Sequence, residues 1–141
     1  MRVGTLNIQS ARGGNLEGCC RGLAALNLDV AVLTETKLHN GVYARRAFGY
    51  EVIASTAASP SQGGVALAIK VDRGKSWNVE DDRTFGPNVI ACTWVSGETR
   101  RRLIGVYLPP SDFTGNSLNC LSEALEEAKD PVIVLGDLNA N

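Results

Sequence analysis

The sequence predicts an α/β or α+β domain, a mixed sheet carrying about two helices, with residues 1–141 forming one unit. Three observations lead there. The segments run β-α-β, then several strands, then α-β, an order that packs helices onto a sheet. Four of the expected strands, "AVLTE", "VALAI", "LIGVYL" and "VIVLG", are apolar on both sides of the pleat, as strands are when both faces are covered. A length of 141 residues suits a single domain and leaves no room for two.

Each element carries a local signal. Residues 3–9, "VGTLNIQ", alternate apolar and polar like a half-buried strand. The glycine-containing "SARGGN" at 10–15 reads as a plain turn; it does not open a P-loop, because GxxxxGK[ST] is absent. Over 16–27, Leu16, Cys19, Cys20, Leu23 and Leu26 fall on one helical stripe, with Asn15 as the expected N-cap. "DVAVLTE" at 29–35 is an apolar run ending in a carboxylate. Strands follow at 50–54 and 64–70, separated by the turn-rich "STAASPSQG", and a hairpin at 89–95 and 103–108 surrounds "SGETRRR". "PPSDFTGN" is a loop. The second helix is expected at 117–129, with Leu118, Leu121, Leu125 and Ala128 turned to the core and acids turned to water. A short apolar strand at 132–135 comes last. Two helices cover one face of such a sheet and leave the other bare. The expectation is therefore that part of the cover lies outside this chain or comes from a partner, self-association through the exposed sheet face included.

Composition narrows the functional classes. Hydrophobic residues make up 44% and charged residues 21%, a folded rather than disordered balance. The net charge of −1 means that any phosphate-binding surface is a local patch. No apolar run is long enough to cross a bilayer, so no membrane role is expected. Cys19, Cys20, Cys92 and Cys120 form neither a CxxC zinc pattern nor a disulfide framework, and read as small thiols in a reducing compartment. That points to an intracellular location, the nucleus being one candidate. Arg100–Arg102 form a basic knot that could touch a nucleic-acid backbone, although solvated charge is the commoner role at a hairpin end.

Polar residues gather where the apolar strands end: Asn7 in "TLNIQS", Glu35 and Lys37 in "LTETK", Tyr107 in "GVYLPP", Asp137 and Asn139 in "VIVLGDLNAN". Functional residues collect at such strand ends, and neighbouring strands would bring two carboxylates, two amides and a phenol to one rim. Singly, each has a plain structural reading as a turn residue, a solvated charge or a core-edge aromatic.

Taken in order, "TLNIQS", "LTETK", "GVYLPP" and "VIVLGDLNAN" resemble the successive motifs of the endonuclease/exonuclease/phosphatase superfamily. "RGGN" and "SPSQGGVALAIK" resemble the apurinic-endonuclease-like domains that precede reverse transcriptase in non-LTR, LINE-type retrotransposons. The resemblance covers the whole chain but only the first half or somewhat more of the family's domain. It implies a partial four-layer α/β sandwich, mainly the first mixed sheet with about two helices, the second sheet being largely missing and encoded beyond Asn141. It implies phosphodiester hydrolysis with Mg²⁺ or Mn²⁺, and DNA as substrate of the complete domain. Glu35 then matches the metal-binding glutamate, and Asn7 the asparagine beside that metal. Tyr107 matches the phenol that approaches the scissile phosphate, Asp137 the aspartate that orients or deprotonates the attacking water, and Asn139 the amide that binds the phosphate.

The family's later asparagine or aspartate and its closing Asp-His pair have no counterpart here. His39, the only histidine, lies in "TKLHNG" and does not match the family's histidine. The expectation is that this chain alone is inactive or weakly active. Two alternatives stay open: another phosphatase or phosphodiesterase of the same superfamily, and a catalytically dead remnant that at most binds a partner.

Overall fold

The computed structural model describes residues 1–39, 43–71, 74, 76–110 and 116–139. In chain order the elements are β1 (Val3–Asn7), α1 (Asn15–Ala25), β2 (Val30–Thr34), β3 (Tyr43–Ala47), β4 (Tyr50–Ala54), β5 (Val65–Lys70), β6 (Asn78–Thr84), β7 (Val89–Ser96), β8 (Thr99–Tyr107), α2 (Asn116–Glu127) and β9 (Val132–Asp137). They form a five-stranded sheet ordered β1-β2-β5-β4-β3 and a four-stranded sheet ordered β6-β7-β8-β9. Each sheet holds one parallel pair, β1 with β2 and β8 with β9; the other pairings are antiparallel.

Period-two alternation builds the layers. In β2 and β5, Ala31, Leu33, Ala66 and Ala68 face outward and pack with Leu16, Cys20 and Leu23 of α1. Their neighbours Val30, Val32, Val65 and Leu67 face inward, onto Ile90, Cys92, Trp94 and Leu103 of the second sheet. On the far side of that sheet, Val89, Ala91, Ile104 and Val106 meet Ala124 of α2, with Cys120 and Leu121 packed at the margin. The order is therefore helix, sheet, sheet, helix. Three of the doubly apolar strands, in β2, β5 and the second half of β8, are covered on both faces within the chain, while β9 is covered on one.

The α/β class with two helices is as the sequence indicated. The expectation that the second sheet would be largely missing is corrected, because β6 to β9 supply it. The bare sheet face expected to invite self-association is covered by those strands. Apolar side chains that stay exposed include Leu6 of β1, Val132 and Val134 of β9, and Leu118 and Leu125 of α2. Two strands escaped the reading of the sequence: β3 is "YARRA" and β6 is "NVEDDRT", at the outer edges of their sheets, and neither has an alternating apolar face.

Two local details also differ. Gly14, not Asn15, caps α1; Asn15 turns its amide back onto the Ile8 and Ser10 carbonyls at 2.8 and 2.6 Å, tying the helix start to the end of β1. In α2 the buried positions are Ser117 and Ala124, while Leu118 and Leu125 face water, so the helix is rotated by about one position from the expected stripe. Most of the loop expected at 109–116 lies outside the described residues. Among the described residues no helix is long and apolar enough to cross a membrane.

Candidate active site

The two parallel strand pairs set the position of the site. In the first sheet Asn7 stands opposite Thr34, and Glu35 follows at once. In the second, Tyr107 stands opposite Asp137. Parallel strands end on the same side, so both pairs deliver their C-terminal ends to one rim. All five residues expected from the sequence meet there. Asn7, Thr34, Asp137 and Asn139 border one open depression, and Glu35 and Tyr107 border an adjoining cleft of about 400 Å³.

Hydrogen bonds join them. The Asn7 side-chain amide donates to Glu35 Oε2, while Asn7 Oδ1 accepts the Gln9 amide at 3.1 Å. The Tyr107 hydroxyl stands beside the Glu35 carboxylate and the Asn139 side-chain amide. Burial, then the negative charges of Glu35 and Asp137, push the Tyr107 phenol above its ordinary value of 10.0, so it stays a protonated donor at neutral pH. Asp137 Oδ1 accepts the Asn139 backbone amide at 3.0 Å, and Asn139 Nδ2 reaches the Leu108 carbonyl at 2.6 Å.

The backbone is unusual at this rim. Gln9, Glu35, Lys37 and Asn139 all have positive φ, between 46° and 57°. Such conformations in non-glycine residues cost about 1–3 kcal/mol each and persist where surroundings over-determine them. Here Thr36, fully buried, donates its amide to Gly64 O at 3.3 Å, and Lys37 donates to Gly63 O at 2.9 Å. Gly64 has no alternative at its position: with φ at +94° a Cβ would overlap Thr36 Oγ1 and sit 3.1 Å from Ala57 Cβ. In the second sheet, Gly136 packs directly under the Val106 carbonyl with φ at +142°, immediately before Asp137.

The remaining candidates are engaged elsewhere. Lys37 Nζ donates to Gln9 O at 3.0 Å and Arg12 Nη2 to Lys37 O at 3.4 Å, bracing the turn beside Glu35. The His39 ring donates from Nδ1 to Ala57 O at 2.8 Å. Arg100 pairs with Glu80 at 2.8 Å and Asp130 at 3.4 Å, and Arg102 binds Thr93 and the Asp81 carbonyl. These arginines sit at the start of β8, roughly 17–23 Å of extended strand from Tyr107, so the basic knot is no part of the rim.

Two residues at or behind the rim were not anticipated. Thr34 is 1% exposed, its Oγ1 has no hydrogen-bond partner among the described residues, and it borders the depression between Asn7 and Asp137. Its one sequence signal is a hydroxyl in an otherwise apolar strand. Asn88, buried behind the cleft, carries no sequence signal. No group of three His, Cys, Asp or Glu side chains clusters among the described residues, so the donor set is the Glu35 carboxylate with its Asn7 neighbour. A small hard dication that keeps most of its waters and takes one or two carboxylates fits such a set; a zinc centre does not.

Comparison with known proteins places this fold. The sequence profile described as "Endonuclease/Exonuclease/phosphatase family" matches residues 4–141. A search of curated proteins gave no match. Among solved structures, the endonuclease domain of TRAS1, a telomere-specific non-LTR retrotransposon, is similar at a TM-score of 0.70 and 17% identity, over 97% of this chain and 59% of that one. An AP endonuclease from Archaeoglobus fulgidus is similar at 0.69 and 22%, over 99% of this chain and 58% of that one. The AP endonuclease LMAP from Leishmania major is similar at 0.68 and 18%, over 98% and 54%. The chain thus spans between 54% and 59% of the length of these structures.

Proposed function

The chain belongs to the Endonuclease/Exonuclease/phosphatase family, and from that premise we propose that its rim hydrolyses phosphodiester bonds of DNA with the help of Mg²⁺ or Mn²⁺. The observation that carries this reading is the convergence of Tyr107, Asp137 and Asn139 of the second sheet on Glu35, whose carboxylate accepts the Asn7 amide from the neighbouring strand of the first sheet. A phenol kept protonated and aimed between a carboxylate and an amide is a donor waiting for an anion. The likeness of the fold to a retrotransposon endonuclease domain and to AP endonucleases supports DNA as the substrate class.

In this reading Glu35 holds the cation and Asn7 orients that carboxylate through its amide. When bound, the cation offsets charge on the phosphate and on the leaving oxygen. Asp137 has Oδ1 occupied by the Asn139 amide. Its Oδ2 therefore takes the proton of the attacking water. Tyr107 and Asn139 exchange their mutual contact for phosphate oxygens and stabilise them as charge builds. Turnover by the 141-residue chain alone is slow, because its single histidine is bound to Ala57 O and no imidazole stands at the rim.

Supercoiled plasmid tests this. We expect slow Mg²⁺-dependent nicking and Mg²⁺ binding by calorimetry that both disappear in Glu35→Ala. Asp137→Ala should lose nicking while keeping the cation. Fast turnover would overturn the slow-chain reading. Mg²⁺ binding that ignores Glu35 would overturn the site itself.

A further inference from the structure

Asn88 precedes β7 at the back of the cleft that Glu35 and Tyr107 border, and it ties together the start of β5, the first turn of α2 and the end of β8. Its Oδ1 accepts the Gly64 amide at 3.0 Å, inside the protein. Its Nδ2 donates to Ser117 Oγ, in the first turn of α2, at 3.1 Å. Its backbone carbonyl accepts the Tyr107 amide at 2.9 Å. The residue is only 8% exposed and Ser117 only 4%. Both ends of the carboxamide are therefore satisfied inside the protein, by the Gly64 amide and the Ser117 hydroxyl.

The chain of contacts leads from there to both halves of the site. Gly64 and its neighbour Gly63, held by Asn88, present their carbonyls to the amides of Thr36 and Lys37. Those two bonds fix the backbone immediately after the strained Glu35. Gly63 also fits closely, since a Cβ there would stand 2.6 Å from Asn88 Oδ1. The same asparagine holds the Tyr107 backbone in the other sheet. Two sheets packed only by apolar side chains slide and adapt; a buried, directional hydrogen-bond network sets their register.

We propose that Asn88 is a positioning residue, one that sets the Glu35 carboxylate of the first sheet against the Tyr107 phenol of the second. Its place in catalysis rests on the phosphodiesterase reading above, but its place in the structure does not, so the test reads structure first. The probes are hydrogen exchange at backbone amides and ¹⁹F resonances of the 3-fluorotyrosine-labelled chain, with Val52→Ala as a control that loosens the core under α1. In Asn88→Ala, the amides of Gly64, Thr36 and Lys37 should lose protection relative to the Val32 amide, which reports global opening. The Tyr107 resonance should shift or broaden while that of Tyr50 stays in place. Val52→Ala should do the reverse at the two tyrosines.

If Asn88→Ala does not fold, Ser117→Ala frees one end of the carboxamide and should give the same pattern more weakly. Loss of protection at Gly64 alone, with Thr36, Lys37 and the Tyr107 signal unmoved, would reduce Asn88 to a local structural bond and overturn the proposal. In nicking assays a displacement near 1 Å should lower kcat on the order of 10²-fold with KM little changed. Wild-type protein that turns over no DNA would sink the phosphodiesterase reading while leaving the exchange result intact.

Discussion

Replacing Gly136 by alanine is the sharpest test of how the second sheet delivers Asp137. A Cβ at this position would overlap the Val106 carbonyl oxygen and lie 2.8 Å from the carbonyl carbon and 3.0 Å from the Val106 nitrogen. All three are backbone atoms of the paired strand near the end of the ladder, so no side chain can rotate away. The residue also holds φ at +142°, where an L side chain is strained by about 1–3 kcal/mol. Forcing β8 and β9 apart adds an overpacking cost of about 1–3 kcal/mol. The sum, about 2–6 kcal/mol, is a large share of the roughly 5–15 kcal/mol that holds an ordinary domain together. Gly97→Ala provides the comparison: φ is +59° but nothing lies within 4 Å. It should cost only the left-handed penalty of about 1–2 kcal/mol. Urea unfolding of both variants, with unchanged m-values, measures the difference. If the two substitutions cost the same within about 0.5 kcal/mol, the close approach of Gly136 to Val106 is not what fixes the end of β9, and the account of how Asp137 is placed fails.

Further outcomes follow from burial. Cys92 is fully buried, which pushes its thiol up to about 12, against an ordinary value of 9.0 when unfolded. The native thiol thus keeps its proton where the unfolded thiol loses it. Its contribution to stability is complete below pH 9 and declines as pH rises through the window up to about 12. By pH 10 the loss is about 1.4 kcal/mol relative to neutral pH, and urea midpoints of wild type against Cys92→Ala should diverge accordingly. The rotation of α2 predicts that Leu118→Glu changes stability by no more than about 0.5 kcal/mol, while Ala124→Glu, which buries a charge against Val89 and Ile104, abolishes cooperative unfolding. Thermal denaturation followed by circular dichroism separates the two; equal effects would show that the helix face is assigned wrongly.

Local patterning determined much of this protein. The alternation of residues 3–9, the apolar run before Glu35, the hairpin around "SGETRRR" and both helices were legible because each depends on neighbours a few residues apart. So were Asn7, Glu35, Tyr107, Asp137 and Asn139, each a polar residue breaking or closing an apolar strand. Tertiary structure alone decided which sheet each strand joins, and so whether the doubly apolar strands had a second cover. It recruited "YARRA" and "NVEDDRT" as edge strands although neither carries an apolar face of its own. It turned Ser117 rather than Leu118 inward, because Asn88 waited there with a donor. The bonds of Asn88 to Gly64 and Ser117 cross 24 and 29 residues of sequence. Nothing in the spacing of side chains along a strand can announce a hydrogen bond whose two ends meet only after two sheets have packed.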